Sequence, residues 1–302
     1  MQVLSVNSNK IETPTALALG MFDGVHLGHR EVIKSATQYA KLNKIKTAVI
    51  TLKNHPRELT KGKAPKLITN LDTRLALFEE LGIDYVLVLD FDQKLMNTSA
   101  KNYLQKYLID ILNAKFVSTG YDHHFGKDRS GNTELLEAWA KSNQITIETL
   151  DACKQGTEII SSSKIRDLIS EGAIQKANEM LGYQFMIIST VIKGDKRGRS
   201  LGFPTANLQL PADMVIPAKG VYCGSAEYQG QNFQAIMNIG TRPSFDDSDK
   251  ITIEAHLLNF NSDLYDQSLK LRLNKHIRDE IKFDSAANLI KQIKEDIKQC
   301  TN

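Results

Sequence analysis

Gly20-Met21-Phe22-Asp23-Gly24-Val25-His26-Leu27-Gly28-His29 joins an apolar run, Ala16-Leu17-Ala18-Leu19, to a segment with helical spacing, Arg30 to Asn43. That order predicts a buried strand turning into a helix. The glycines and the Asp23-Gly24 pair permit a tight turn with unusual backbone angles. The first turn of the helix then points unpaired N–H groups outward, which suits a phosphate. His26 and His29 are one helical turn apart, so both can face the same anion. Imidazoles there can hydrogen-bond or neutralise charge that builds on a phosphorus under attack. A histidine pair at this spacing would also serve as half of a zinc site, and a single histidine near a loop is commonly structural. The composite of strand, F-D-G turn, H-x-G-H and helix favours a nucleotide site. In that reading Gly20, Phe22, Asp23, Gly24 and Gly28 surround the phosphates, and His26 and His29 are the catalytic pair.

Composition narrows the class. A chain of 302 residues suggests one large domain or two ordinary ones. Hydrophobic residues make up 41% and charged residues 24%, enough apolar material for an ample core. A net charge of +3 is too small to argue for nucleic acid or a membrane surface. No apolar run approaches the length of a membrane span, and Met1 to Lys10 has no signal-like core. A cytoplasmic protein is therefore expected. Cys153, Cys223 and Cys300 are scattered and form no C-x-x-C, so they read as reduced thiols.

Strands and helices alternate through the first half. Apolar runs at Ala16–Leu19, Ala48–Leu52, Tyr85–Leu89, Phe116–Ser118 and Ile145–Leu150 read as strands. Between them lie helical patterns at Arg30–Asn43, at Leu71–Leu81 with Gly82 as stop, after Ser99 as cap, and at Glu134–Ser142. Short apolar strands separated by helices predict a parallel sheet covered on both faces. Ligands bind such sheets beyond the carboxyl ends of the strands. His55-Pro56 follows the second of these strands, and Gly120-Tyr121-Asp122-His123-His124-Phe125-Gly126 follows the fourth. Ser161-Ser162-Ser163-Lys164-Ile165-Arg166 opens a further helix, with hydroxyls and cations suited to the outer phosphates of a nucleotide.

Beyond Gly182 helical periodicity gives way to strands at Phe185–Lys193, Val221–Tyr228, Phe233–Ile239, Ile251–Asn259 and Leu269–His276. The expected boundary divides residues 1–183 from 184–302. Close-set strands with a Gln229-Gly230 hairpin turn predict a closed or nearly closed antiparallel barrel, ended by one amphipathic helix, Ser285–Lys298. Gly194, Lys196, Gly198 and Arg199 form a glycine-interrupted basic loop able to fold over phosphates. Thr205 and Asn207, in Phe203-Pro204-Thr205-Ala206-Asn207, supply two hard oxygens that suit Mg²⁺. Strand alternation places Thr252, Glu254 and His256 on one face, which is either a polar outer face or the wall of a site.

The first motif resembles the H-x-G-H signature of the nucleotidyltransferase superfamily. In its G-x-F-D-G-x-H-x-G-H form it is similar to the bacterial bifunctional riboflavin kinases/FAD synthetases. The segments around Asp122 and Ser161–Arg166 resemble that family's G-x-D-x-x-F-G and I-S-S-T-x-I-R. Gly198-Arg199-Ser200-Leu201-Gly202-Phe203-Pro204-Thr205-Ala206-Asn207 resembles the riboflavin kinase signature, and Glu254-Ala255-His256 its E-x-H strand.

The resemblance implies a Rossmann-like nucleotidyltransferase domain followed by a β-barrel kinase domain. It implies phosphorylation of riboflavin to FMN and adenylylation of FMN to FAD, with ATP as co-substrate and Mg²⁺ as cofactor. Glu254 becomes the base of the kinase, and His55, Pro56, Phe125, Asn238 and Arg278 become flavin contacts. Riboflavin, FMN and ATP are then the partners of a monomer or weak homo-oligomer, without nucleic acid or membrane. Met21, Ser189, and His123-His124 in place of a Phe-Arg pair depart from the family pattern, as do Ser163 and Ser244 in place of threonine. An aminoacyl-tRNA synthetase-like enzyme also uses H-x-G-H, but it predicts a K-M-S-K-S-like loop that is absent. A non-catalytic flavin sensor predicts loss of Glu254, Thr205, Asn207 or the histidine pair, and all are present.

Overall fold

In the computed structural model, residues 1–194, 198, 201–242 and 250–301 are described. The predicted phosphate contacts Lys196 and Arg199 lie outside them, as do Pro243 and Ser244. The chain divides into two compact units, Met1–Ser162 and Ser163–Asn302.

The first unit is an α/β layer structure. Strands β1 (Gln2–Leu4), β2 (Thr15–Leu19), β3 (Lys46–Leu52), β4 (Tyr85–Leu89), β5 (Ala114–Gly120) and β6 (Thr146–Leu150) form one sheet in the order β1-β4-β3-β2-β5-β6. Every pairing in it is parallel. All five residues of β2 are buried, as a strand covered on both faces requires. The chain runs from β2 outward to β3 and β4, then returns to place β5 on the other side of β2. The loops after β2 and β5 therefore leave the carboxyl edge in different directions, and a crevice opens between them.

Helix α1 (Leu27–Asn43) packs on β2, β3 and β5 through Val32, Ile33, Ala36 and Ala40. The chain continues through α2 (Pro56–Lys61), α3 (Leu71–Glu80), α4 (Gln93–Met96) and α5 (Ala100–Tyr103). Ser99 caps α5, and the apolar stripe Tyr103, Tyr107, Leu108 and Ile111 is buried. That element continues as a π-helix over Leu104–Ile111, which the 3.6-residue pattern does not distinguish from an α-helix. Helix α6 (Thr133–Ser142) completes this layer, with Trp139 packed at the edge of the core. Edge strand β1 and the short hairpin β7 (Lys154–Gln155) and β8 (Glu158–Ile159) have no apolar run long enough to announce them.

The second unit begins with α7 (Ser162–Ser170) and α8 (Ile174–Leu181) and then forms a closed barrel. Its strands are β9 (Phe185–Ile192), β10 (Ala206–Leu208), β11 (Gly220–Tyr228), β12 (Gln231–Arg242), β13 (Lys250–Leu257) and β14 (Ser268–Arg278), in the order β10-β13-β12-β11-β14-β9. The short β10 pairs with both β13 and β9 and closes the circle. Gln229 and Gly230 both take left-handed angles in the β11–β12 turn, the geometry of a two-residue hairpin that follows strand twist.

The terminal helix α9 (Ala286–Thr301) is capped by Ser285, whose Oγ accepts the Asn288 N–H. It is tied to the barrel in two ways. Arg278 on β14 makes a forked ion pair with the buried Asp296, with nitrogen–oxygen distances of 2.7 to 3.1 Å, and Gln292 also donates to that carboxylate. Cys223 on β11 is bonded to Cys300 near the helix end, across a Cα–Cα distance of 5.3 Å. This corrects the reading of three reduced thiols, because the barrel folds the chain back to bring together two of them that lie 77 positions apart in sequence. Cys153 is free.

Deleting one partner of a buried charge pair costs about 3–5 kcal/mol, and the outer edge of Arg278 can reach water. Asp296→Ala is expected to cost the second unit about 3 kcal/mol. Urea unfolding followed by circular dichroism should show its transition moved to lower urea. The fluorescence of Trp139, which lies in the first unit, should report an unchanged transition.

Candidate active sites

The first site is built on a backbone that most side chains avoid. Phe22 and Val25 have φ of 56° and 38°, and Gly24 between them has φ of 86°. Phe22 turns inward and is buried beneath the loop, and a Cβ on Gly20 would press on its ring. A Cβ on Gly24 would meet Ile68. Asp23 is buried and does not face the cleft. Its Oδ1 accepts the backbone N–H groups of Ile68 and Thr69 at 2.9 and 3.1 Å, while the Gly24 N–H donates to Thr69 Oγ1 at 2.9 Å. Asp23 therefore braces the turn that leads into α1.

The turn ends at His26, the N-cap of α1, whose Nδ1 accepts the His29 N–H at 3.3 Å. Because Nδ1 is an acceptor there, the proton of the neutral ring belongs on Nε2. The two imidazoles stack with centroids 3.6 Å apart, and the edge of Phe22 closes on His29. Burial, then His26, then Arg74 hold the His29 pKa well below its ordinary 6.5. Its ring is thus neutral at pH 7 and can offer an N–H. Gly28 passes against Cys153 and His26, where a Cβ would crowd both.

Ser162 Oγ donates to the Asp23 carbonyl at 3.0 Å, so the start of α7 is tied to the same turn. Ser161 lies just before it. Ser163 follows directly and Arg166 about one helical turn on, both in the second unit, with the Arg166 guanidinium 3.5 Å from Ser163 Oγ.

A cleft of about 660 Å³ opens beside the turn, with Gly20, Met21, Pro56, His123, Phe125 and Arg129 among its walls. His55 caps α2 by accepting the Arg57 N–H and stands behind Pro56. His123 stacks on Phe125, and burial, with His124 and Arg129 adding to it, lowers its pKa to about 4. Asp122 is exposed on this loop, and its carbonyl faces His124 Nδ1 at 2.8 Å. Thr51, Thr69, Arg74 and Tyr103 are parts of this region that sequence reasoning missed. Thr51, Arg74 and Tyr103 lie on elements read only for their apolar spacing, and Thr69 lies on none of them.

The second site lies in the barrel. Glu254 on β13 is opposite Asn207 on β10 and opposite Asn238 on β12. Directly opposed residues share a face, so the carboxylate sits between two amides. Thr205 Oγ1 is 3.5 Å from Glu254 Oε2. His256 Nδ1 lies 2.7 Å from the Pro204 carbonyl and holds the Pro-Thr-Ala-Asn strand entry in place.

Gly194 allows the Asn207 side chain to lie against the backbone, where a Cβ would overlap it. The Gly198 carbonyl accepts the N–H groups of Leu201 and Phe203 and turns the chain into that entry. Thr205 borders two cavities. One, of about 390 Å³, is walled by Asn238, Glu254, Phe283 and Ile293, with Arg278 at its side. The other, of about 230 Å³, is walled by Pro204, Phe260, Leu264 and Tyr265. Arg278 was expected to touch flavin, and its guanidinium is engaged by Asp296. Among the described residues no group of three or more His, Cys, Asp or Glu side chains could hold a metal. The hydroxyl of Thr205 and the amide of Asn207 fit an ion that takes its remaining ligands from phosphate and water.

The family model for FAD synthetase matches residues 8–164, and that for riboflavin kinase matches residues 181–302. The bifunctional riboflavin kinase/FMN adenylyltransferase of Listeria monocytogenes is 34% identical over 93% of this chain and 89% of its own. The Bacillus subtilis protein of the same name is 36% identical over 94% and 91%. A solved Streptococcus pneumoniae structure, titled a macrolide-efflux protein, is 28% identical and covers 99% of both chains with a TM-score of 0.88. No helix among the described residues is long and apolar enough to cross a membrane.

Folded chain keeps His29 and His123 neutral, whereas unfolded chain protonates them as pH falls through about 6.5. The unfolded state then binds more protons, so these groups lower stability from that pH downward, with the His123 share levelling off near 4. His123→Phe should therefore flatten the fall in the Trp139-detected melting temperature between pH 7 and 4.5. Parallel slopes for the two proteins would contradict the assignment.

Proposed function

The chain belongs to the bifunctional riboflavin kinase/FMN adenylyltransferase family, and on that basis we propose which of its residues carry each reaction. It phosphorylates riboflavin to FMN with ATP, and it adenylylates FMN to FAD with release of pyrophosphate. We assign adenylyl transfer to residues 1–183 and the kinase to 184–302. The observation that carries the assignment is that each matched half holds its own complete constellation. The stacked His26–His29 pair stands at the switch point of the sheet, and Glu254 stands between Asn207 and Asn238 beside Thr205.

In the kinase, the Glu254 carboxylate accepts the proton of the ribityl 5′-hydroxyl as that oxygen attacks the γ-phosphorus of ATP. The bond to the leaving ADP oxygen breaks in the same displacement. Thr205 is common to both cavities, which supports flavin in the one bounded by α9 and nucleotide in the other. Thr205 and Asn207 would hold Mg²⁺, which neutralises phosphate charge when bound. We assign phosphate binding to Gly194, Lys196, Gly198 and Arg199, and flavin binding to Asn238 and Arg278.

In the adenylyltransferase, an FMN phosphate oxygen attacks the α-phosphorus of ATP and pyrophosphate leaves. His26 and His29 donate hydrogen bonds to the charge that develops there. The turn Gly20–Gly24, with Gly28 and the α1 N-terminus, cradles the phosphates. Ser161, Ser162, Ser163 and Arg166 receive pyrophosphate, with Asp122 at the nucleotide edge. His55, Pro56 and Phe125 border the flavin. Neither reaction uses a protein nucleophile, so positioning and charge neutralisation supply the rate. We place the enzyme in the cytoplasm as a monomer or weak homo-oligomer.

Glu254→Gln should lower riboflavin phosphorylation by about 100-fold or more while FAD synthesis from supplied FMN continues. His29→Ala should do the reverse. Flavins separated chromatographically after incubation with MgATP give both readouts. Loss of both activities in a folded single variant would refute the two-site assignment.

A further inference from the structure

Arg74 sits in the first turn of α3 and is fully buried. An arginine in that position is costly unless its donors are well used. One terminal nitrogen donates to the Met21 carbonyl at 3.0 Å, to Thr51 Oγ1 at 2.9 Å and to the Leu52 carbonyl at 2.7 Å. The other reaches the Thr69 carbonyl at 3.4 Å. Thr51 Oγ1 itself donates to the Met21 carbonyl at 2.7 Å. The guanidinium therefore joins three segments that do not otherwise meet in sequence. They are the turn after β2, the end of β3, and the Ile68-Thr69 strip that grips Asp23 and Gly24.

We propose that Arg74 is a positioning residue for adenylyl transfer. It pins the Met21 carbonyl and so fixes the left-handed Phe22–Val25 turn that delivers His26 and His29. Having no exposed surface, it cannot touch either substrate. Its effect passes through the turn and, by charge, to His29. The inference rests on the reading of His26 and His29 given above. The charged or titratable groups acting on His29 are His26 from α1 and Arg74 from α3, and both lower its pKa. Burial is the largest cause of that lowering and Arg74 the smallest, so removing the cation alone should let the His29 pKa rise only part of the way toward 6.5, whereas loosening that admits water would carry it further.

The test uses the full chain, in which riboflavin phosphorylation is an internal control for concentration and integrity. Arg74→Met should lower kcat for FAD synthesis from FMN by about 100-fold, the scale of a displacement near 1 Å at a reacting centre. The KM for ATP should change much less, and the kinase rate should not change. Arg74→Lys keeps the charge but can follow only part of the fork, so it should fall between the two, and its His29 should still titrate low. The His29 titration is read by NMR of labelled imidazole.

If Arg74→Met does not fold its first unit, Arg74→Lys decides alone. A folded lysine variant with lowered kcat supports the role, and one at the wild-type rate overturns it. Wild-type FAD synthesis in a folded Arg74→Met chain also overturns it, as does a His29 pKa that stays where it was. If instead His29→Ala retained wild-type FAD synthesis, the reading of the site would fail, whatever Arg74 does.

Discussion

The first unit depends on holding one disfavoured turn in place. Left-handed angles at Phe22 and Val25 each oppose the preference of an L side chain, on the order of 1–2 kcal/mol. The turn persists because its polar groups are matched inside the protein. Asp23 accepts two backbone N–H groups, Thr69 accepts one, and Thr51 and Arg74 converge on the Met21 carbonyl. Phe22, folded under the loop, adds apolar burial and a wall for His29. With the turn fixed, His26 becomes a helix cap in place of the usual serine or aspartate. One ring thus starts α1, sets its own tautomer and faces the site.

The second unit assembles its candidate site by another route. Closure of a small barrel sets strand register, and register alone puts Asn207, Glu254 and Asn238 side by side. No strained turn is needed at that point. The glycines serve close approach: Gly194 leaves room for Asn207, and Gly198 bends the chain toward Thr205. The far wall is α9, held by a buried ion pair and a covalent bond. Arg278 contributes to the cavity through the helix it anchors.

The two candidate sites also differ in electrostatics, in keeping with the reactions proposed for them. Attack by an ionised phosphate needs no base, and the first site offers a helix N-terminus and an uncharged His29. Attack by a hydroxyl needs a proton acceptor, and the second site supplies a carboxylate beside a hydroxyl and an amide.

Much of this was legible in the residues. Apolar runs separated by helical spacing specify a covered parallel sheet, and a burst of close strands specifies a barrel, because periodicity records which face is buried. H-x-G-H at a strand end and Pro-Thr-Ala-Asn at a strand entry mark both candidate sites, because the chemistry proposed there is local to a few consecutive residues. What the sequence left open were pairings across long separations. Asp23 reads as a ligand contact until Ile68 and Thr69 are seen to occupy it. Arg74 carries no signal of its own in the sequence, and its side chain meets Met21, 53 residues away. Arg278 finds Asp296, and Cys223 finds Cys300, only once the barrel has closed and the last helix has docked. Local pattern determined the elements and the reactive groups. Tertiary packing decided which polar groups satisfy one another and which remain to meet a substrate, because a buried donor or acceptor takes its partner from whatever the fold brings within about 3 Å.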